Sequence, residues 1–215
     1  MQAVIIGVRR QGKSTLALHL ARQHAKCIIV FDPNNQFKSL YAVDSPERLQ
    51  WAIEDQEHSE IRYLPDADNV WDSFAGFAEC VWYMLAGVYA LIIDECQELQ
   101  SPSNIHPLLA RFLRRAPTEV DAPNTTHIYQ CTHFPADLHK LSKGLATDWY
   151  IFRITLRAQV EAVRDQWGDE IAERVQQLDK YTFLHSWLGE GGSIESEVIT
   201  DSDSWNTHIA RVRKG

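Results

Sequence analysis

The sequence predicts an α/β fold in which helices cover both faces of a mainly parallel β-sheet. Short apolar segments alternate with longer helical segments along almost the whole chain. Several of the short segments are continuously apolar, which is typical of strands that are buried on both faces of a parallel sheet. The chain has 215 residues, of which 45% are hydrophobic and 23% are charged. This composition is that of a globular protein, and the length fits one α/β domain.

Each segment is assigned from this alternation and from its flanking residues. The strands are predicted over 2–7, 26–32, 60–65, 89–95, 125–132, 148–154 and 181–187. The helices are predicted over 13–25, 45–55, 69–86, 104–116 and 135–144, with two more within 157–178 that separate near Gly168. The helix at 45–55 has the clearest start, because Ser45 is a good cap and Pro46 suits the first helical position.

The C-terminal part of the chain differs from the rest. We expect residues 1–188 to form one domain and residues 189–215 to form a tail. The tail begins with the turn sequence GEGGS, continues with SIESEVIT as a candidate edge strand and ends with the basic sequence RVRKG. No internal repeat or second domain is evident.

The bulk charge and apolar content exclude some classes of function. The net charge is −8, so the surface as a whole does not attract nucleic acid, and any DNA contact needs a local basic patch or a ring of subunits. The apolar run 80–93 is too short for a transmembrane helix, which needs about 18–20 residues. We expect no signal peptide, because the chain leads directly into a strand. The four cysteines form no CxxC pair and are expected to be free thiols.

The segment GVRRQGKST, residues 7–15, contains the pattern G-x-x-x-x-G-K-[ST] between a strand and a helix. Backbone N–H groups at a helix N-terminus attract anions, and glycines let the backbone approach phosphates closely. Lys13 is expected to reach the β- and γ-phosphates of ATP, and the Ser14 hydroxyl to hold Mg²⁺. The full set of predicted nucleotide-binding residues is Gly7, Arg9, Arg10, Gln11, Gly12, Lys13, Ser14 and Thr15.

A strand that ends in two acids supplies the second half of the predicted site. The sequence ALIIDE ends with Asp94 and Glu95. Asp94 is expected to hold Mg²⁺ with Ser14, and Glu95 to orient and deprotonate the attacking water. A glutamate at this position favours a hydrolase over a small-molecule kinase, which must keep water away from the γ-phosphate. Together with the alternating strands and helices, these two motifs indicate a three-layer P-loop NTPase fold of the RecA-like type, with an additional strand and a catalytic glutamate.

Two further roles remain open at this point. Gln130, Thr132 or His133, at the end of the strand predicted beside the acidic strand, is expected to sense the γ-phosphate. Arg111, Arg114 and Arg115 lie on one face of a predicted helix. They form a solvated face, an arginine finger for a neighbouring subunit, or a basic stripe that lines a channel. Further candidates for the finger are Arg9, Arg10, Arg153 and Arg157.

The motifs in this order resemble those of the FtsK–HerA superfamily of ring ATPases. The matching segments are GVRRQGKS, IIVFDPNNQF, LIIDE, THIYQCTHFPADL, WYIFRI and YTFLHSW, which together span residues 2–187. The chain is most similar to the small genome-packaging ATPases of membrane-containing, double-jelly-roll viruses. His133 stands where that family usually has glutamine after the threonine, here Thr132.

The resemblance implies a homo-oligomeric ring, a pentamer or hexamer, that hydrolyses ATP with Mg²⁺ and drives double-stranded DNA into a preformed capsid. It implies capsid or portal vertex proteins as partners, without an integral membrane segment. It places the protein in the host cytoplasm during assembly, or on the virion at a packaging vertex.

Three other functions are compatible with the motifs. One is a phage assembly or DNA-export ATPase of the zonula-occludens-toxin type, although such proteins usually carry a transmembrane helix. Another is a nucleotide or nucleoside kinase, against which Glu95 argues. The last is a nucleotide-gated scaffold, which would bind ATP with negligible turnover.

Overall fold

The computed structural model describes residues 1–55, 57–84, 87–115, 125–188 and 194–199. Its strands are β1 (Gln2–Ile6), β2 (Cys27–Phe31), β3 (Tyr41–Val43), β4 (Glu60–Tyr63), β5 (Tyr89–Ile93), β6 (Thr126–Thr132), β7 (Asp148–Phe152), β8 (Phe183–Leu188) and β9 (Ile194–Ile199). Its α-helices are α1 (Lys13–His24), α2 (Pro46–Asp55), α3 (Val70–Met84), α4 (Pro107–Arg115), α5 (Lys140–Leu145), α6 (Arg157–Trp167) and α7 (Asp169–Gln177).

The described strands form one sheet in the order β3-β4-β2-β5-β6-β1-β7-β8-β9. In this order the first seven strands all pair in parallel. Strand β8 then pairs antiparallel with β7, and β9 pairs antiparallel with β8. The mainly parallel sheet predicted from the sequence is confirmed. Strand β6 lies between β1, which leads into the P-loop, and β5, which ends directly before Asp94, as the additional strand of the predicted fold requires.

Helices cover the two faces of the sheet unequally. On one face α1 packs through Leu16 and Leu20 against alternate strand residues such as Ile5 and Tyr129. The other face is covered by side chains from α2, α3, α4, α6 and α7. Because alternate strand residues face opposite layers, both sets of strand side chains are buried, which explains why the strands are apolar throughout.

Two features differ from the elements that the sequence predicts. Strand β3 is not among the predicted strands, since it has three residues and two of them, Tyr41 and Ala42, are exposed. The single helix expected over 135–144 is a 3₁₀ helix, Pro135–Asp137, followed by α5. The break falls at His139, whose side chain accepts a hydrogen bond from the Leu141 N–H and caps α5.

The cysteines, the possible membrane spans and the C-terminal strand can also be compared with the sequence-based expectations. The four cysteines, all in described segments, are free thiols, with Cys96 and Cys131 buried. Among the described residues no helix is both long and apolar enough to cross a membrane. Strand β9 pairs with β8 at one edge of the sheet. The basic end predicted at 211–215 lies outside the described residues.

Candidate active site

The P-loop leaves the carboxyl end of β1 and closes at the start of α1. Gly12 caps α1 with φ 103°, and Arg10 also has a positive φ of 63°. Arg9, Arg10 and Thr15 are exposed, whereas Gln11 and Ser14 are half-buried. The turn therefore depends on a left-handed backbone that only glycine adopts without strain at position 12.

Phe152, at the end of β7, explains why the loop carries glycine at both ends. A Cβ atom built on Gly7 would lie 2.6 Å from the Phe152 Cβ, closer than real carbon atoms approach. A Cβ atom built on Gly12 would lie 3.6 Å from the Phe152 ring and 3.3 Å from the Tyr181 ring. Phe152 is fully buried, and it ends β7, the strand that pairs with β1. The phenylalanine thus forms the floor of the P-loop.

Replacing Gly7 with alanine is expected to disrupt the contact between the P-loop and Phe152. The new methyl group must push the P-loop away from Phe152, with a loss of about 1–3 kcal/mol in the free energy of unfolding, as for other overpacked sites. Nucleotide affinity should fall with it. Urea denaturation and nucleotide titration measure the two effects. Gly144→Ala is the matched control, because a Cβ there meets no atom within 4 Å and a helical alanine is favourable. Equal stability of both variants would contradict the role of Phe152.

Lys13 lies at the first position of α1 and is buried. Burial lowers the pKa of its amine, although the carboxylates of Asp94 and Glu95 act in the opposite direction. Its Nζ is 3.0 Å from His133 Nδ1 and donates to the Val8 carbonyl oxygen at 3.4 Å. The amine therefore points toward the loop and the acidic strand rather than toward solvent.

His133 joins the P-loop lysine to the acidic pair. Its Nε2 is 2.9 Å from Glu95 Oε1. Its Nδ1 lies 3.0 Å from Lys13 Nζ and 2.8 Å from the Gly7 carbonyl oxygen, so the same ring nitrogen contacts both the lysine and the P-loop. Lys13, His133 and Glu95 thus form one continuous chain of polar contacts across β1, β6 and β5.

The turn after β6 holds His133 in place. The Thr132 hydroxyl accepts a hydrogen bond from the Phe134 N–H at 3.0 Å, and Gln159 on α6 donates to the His133 carbonyl oxygen. Thr132 is fully buried, and its carbonyl oxygen accepts the Gly7 N–H at 3.3 Å, which joins this turn to the P-loop. Thr132 therefore lies in the turn that carries His133.

Glu95 directly follows β5 and the buried Asp94. Its backbone is left-handed, with φ 48° and ψ 46°, an uncommon conformation for a residue with a side chain. Strained backbone of this kind concentrates at functional sites. Burial would raise the pKa of Glu95, but hydrogen bonds from His133 and Gln97 outweigh it and lower the pKa below its usual value. The carboxylate is therefore held ionised, as a base must be.

Asn34 also contacts Glu95, donating from Nδ2 to Oε1 at 2.9 Å. The loop that carries Asn34 is anchored by Asp32, which is fully buried and accepts the N–H groups of Gln36 at 2.7 Å and Phe37 at 2.9 Å. Asp32 directly follows β2, the neighbour of β5, so the loop reaches the acidic pair. The sequence motifs alone did not assign a role to Asn34, Gln97, Gln159 or Phe152.

Asp94 has the environment of a cation ligand. Burial, with the neighbouring carboxylates of Glu95 and Asp32, raises the pKa of Asp94 to about 7. A buried carboxyl group beside two others is stabilised as the anion when a cation binds. Hydroxyl and carboxylate oxygens, here of Ser14 and Asp94, are the ligands that Mg²⁺ takes together with substrate phosphates and water. The residues present therefore fit a magnesium ion.

Gln130, the third sensor candidate, contacts a different group of residues. Its Oε1 accepts from Gln100 Nε2 at 3.1 Å, in a buried polar cluster with Ser142 on α5. Successive residues of a strand face opposite sides of the sheet, and Gln130 points to the layer of α4 and α5. The three candidates therefore have different partners. His133 contacts Lys13, Thr132 accepts a hydrogen bond within the turn after β6, and Gln130 accepts one from Gln100.

The arginines of α4 do not reach the site of their own chain. Arg111 stacks over the Trp82 ring with its guanidinium carbon 4.1 Å from the ring centroid, while Arg114 and Arg115 are exposed. Gln2, at the start of β1, donates to the Leu113 carbonyl oxygen at 2.8 Å. The C-terminal end of α4 therefore lies at the amino edge of the sheet, opposite the P-loop. Arg153 and Arg157, both exposed, follow β7 on the P-loop side.

No protein-family model and no curated protein sequence matches the chain. Solved structures are similar to it in fold. The genome packaging NTPase B204 of Sulfolobus turreted icosahedral virus 2, in complex with AMPPCP, has a TM-score of 0.67 and 18% identity over 91% of this chain and 95% of that chain.

Two other structures share the fold. The DNA-packaging ATPase B204 of Sulfolobus turreted icosahedral virus has a TM-score of 0.58 and 20% identity over 91% of this chain and 95% of that chain. The pCW3 conjugation coupling protein TcpA has a TM-score of 0.55 and 12% identity over 99% of this chain and 65% of that chain. The fold expected from the FtsK–HerA resemblance is confirmed, and the chain has the P-loop NTPase fold of these proteins.

Proposed function

We propose that the chain is an ATP-hydrolysing motor that moves double-stranded viral DNA into a preformed capsid. The observation that carries the proposal is the chain of contacts from Lys13 through His133 to Glu95, beside the buried Asp94. This arrangement combines a phosphate-binding loop with a base for water. The likeness in fold to the B204 packaging ATPases supports packaging as the use of that hydrolysis.

The triphosphate binds with its γ-phosphate at Lys13. The N–H groups at the start of α1 and the lysine charge hold the β- and γ-phosphates. Ser14 and Asp94 are the residues that would hold Mg²⁺, and the bound ion would neutralise charge on the phosphate oxygens. Lys13, buried in the protein, acts on the γ-phosphate more strongly than a solvated lysine does.

Hydrolysis then requires one proton transfer and one phosphoryl transfer. The Glu95 carboxylate takes a proton from a water whose oxygen attacks the γ-phosphorus, while the bond to the β-phosphate oxygen breaks. Asn34 and Gln97 keep the carboxylate in place. We propose His133 as the γ-phosphate sensor, because it contacts both the lysine that binds the phosphate and the base that activates water.

The remaining parts of the proposal concern assembly. We propose a homo-oligomeric ring, since an acidic chain gathers basic residues around DNA most readily through several copies. One arginine of a neighbouring subunit would complete the site. The candidates are the exposed Arg9, Arg10, Arg114, Arg115, Arg153 and Arg157 and the partly buried Arg111. The partners are double-stranded DNA and capsid or portal vertex proteins, and the place of action is the host cytoplasm or the packaging vertex of the virion.

Displacement of a third strand from a DNA triplex tests translocation. A motor that moves along duplex DNA is expected to strip the third strand with ATP and Mg²⁺ but not with a non-hydrolysable ATP analogue. The Glu95→Gln variant should displace nothing. A wild-type protein that hydrolyses ATP on the same DNA yet leaves the triplex intact would contradict translocation.

A further inference from the structure

Tyr181 is an exposed aromatic residue beside the P-loop to which the proposed chemistry gives no role. It precedes β8 and exposes 50% of its surface. Its ring lies against the loop, since a Cβ on Gly12 would be 3.3 Å from Tyr181 Cδ1. Aromatic rings usually bury their area in a core or an interface. A half-exposed ring in contact with a phosphate-binding loop therefore indicates a ligand surface.

The sheet places Tyr181 at the end of the site opposite the γ-phosphate. Strand β8 is antiparallel to β7 and pairs Phe183 with Phe152, so the residues before β8 lie at the carboxyl edge of the sheet. Strands β7 and β6 flank β1 on opposite sides. Lys13, His133 and Glu95, the residues expected around the γ-phosphate, lie on the side of β1 that faces β6. Tyr181 lies on the side of β1 that faces β7. A nucleotide whose phosphates fill the loop extends its nucleoside away from the β6 side.

The local backbone holds the ring in this place. Tyr181 has φ 66°, which is unusual for a bulky residue, in a turn closed by the Thr182 N–H and the Asp179 carbonyl oxygen at 3.2 Å. The ammonium group of Lys180 lies 4.7 Å from the ring centroid. Lys180 is an exposed side chain that can move aside when another group stacks on the ring. A cation over the ring also shows that the face is accessible to a ligand-sized group.

We propose that Tyr181 is the stacking platform for the base of the bound nucleoside triphosphate. This proposal rests on the proposed nucleotide binding and adds the residue that holds the base. Stacking of a base on an aromatic ring tolerates any base, since each has a π-face. Tyr181 therefore contributes affinity for the nucleoside, whereas the P-loop contributes affinity for the phosphates.

The test compares ATP with inorganic tripolyphosphate, which has the phosphates but no base. Tyr181→Ala is expected to weaken ATP binding roughly tenfold, the loss typical of one base–aromatic stack, and to leave tripolyphosphate binding unchanged. Tyr181→Phe should bind ATP as the wild type does, because it keeps the ring. Tyr83→Ala is the control, since Tyr83 is a 74% exposed tyrosine on α3, outside the site.

The outcomes separate this proposal from the one on which it rests. Wild-type protein that binds both ligands, with Tyr181→Ala weakened equally for both or for neither, would overturn the platform and leave the nucleotide site standing. Wild-type protein that binds neither ligand would overturn the nucleotide site and the platform with it. Selective loss of ATP binding in Tyr181→Ala alone supports the platform.

Discussion

Replacing Glu95 with glutamine is expected to slow ATP hydrolysis by about 10²-fold or more while ATP binding persists. Glutamine keeps the shape of the side chain and can still accept a hydrogen bond from Asn34, but it cannot take the proton of the attacking water. Lys13, Ser14 and Asp94 are untouched, so the contacts to the phosphates remain. Single-turnover hydrolysis and equilibrium ATP binding measure the two effects separately.

Glu98→Gln is the matched control for this variant. Glu98 lies three residues further along, on the 3₁₀ helix Cys96–Leu99, and is exposed. The Glu98→Gln variant removes one negative charge close to the site, as Glu95→Gln does, but it leaves the Glu95 carboxylate in place. Turnover should therefore remain near the wild-type rate. Near-normal hydrolysis by Glu95→Gln would assign the activation of water to another group.

Replacing Lys13 with alanine is expected to abolish ATP turnover. The γ-phosphate loses its charge partner in a buried site, where the remaining groups include the carboxylates of Asp94 and Glu95. The variant also removes the contact at 3.0 Å that holds His133, so the link from phosphate to base is broken at the same place. Steady-state phosphate release and ATP titration check the result.

An exposed lysine next to the same helix provides the control. Lys26→Ala removes a positive charge just after α1, beyond its last residue, His24. Its turnover should match that of the wild type, because the lysine is solvated and far along the helix from the loop. Normal turnover in Lys13→Ala would show that the segment 7–15 is not the phosphate site.

The parts of the site that the sequence predicts are those encoded in consecutive residues. The P-loop pattern needs only its own strand and helix, and an apolar strand that ends in Asp94 and Glu95 is visible without knowledge of its neighbours. The carboxyl ends of parallel strands meet at one edge, so the sequence also predicts that these segments come together. Strand β3 has too few residues for any periodicity to appear.

The parts that the sequence does not predict depend on the order of the strands and on which face a side chain occupies. Asn34 reaches Glu95 because β2 lies beside β5, and Phe152 lies under Gly7 because β7 lies beside β1. The choice between His133 and Gln130 depends on which layer each faces. His133 lies three positions after Gln130, so the two side chains point to opposite faces of an extended chain, but only the structure shows which face holds Lys13.

The most direct test of the account is the steady-state ATPase rate of the wild type and of Glu95→Gln, measured in parallel with and without double-stranded DNA. The account predicts that DNA raises the wild-type rate and that Glu95→Gln shows almost no turnover under either condition. A wild-type rate that double-stranded DNA leaves unchanged, or phosphate transfer that appears only with a small-molecule acceptor, would contradict a DNA-translocating ATPase.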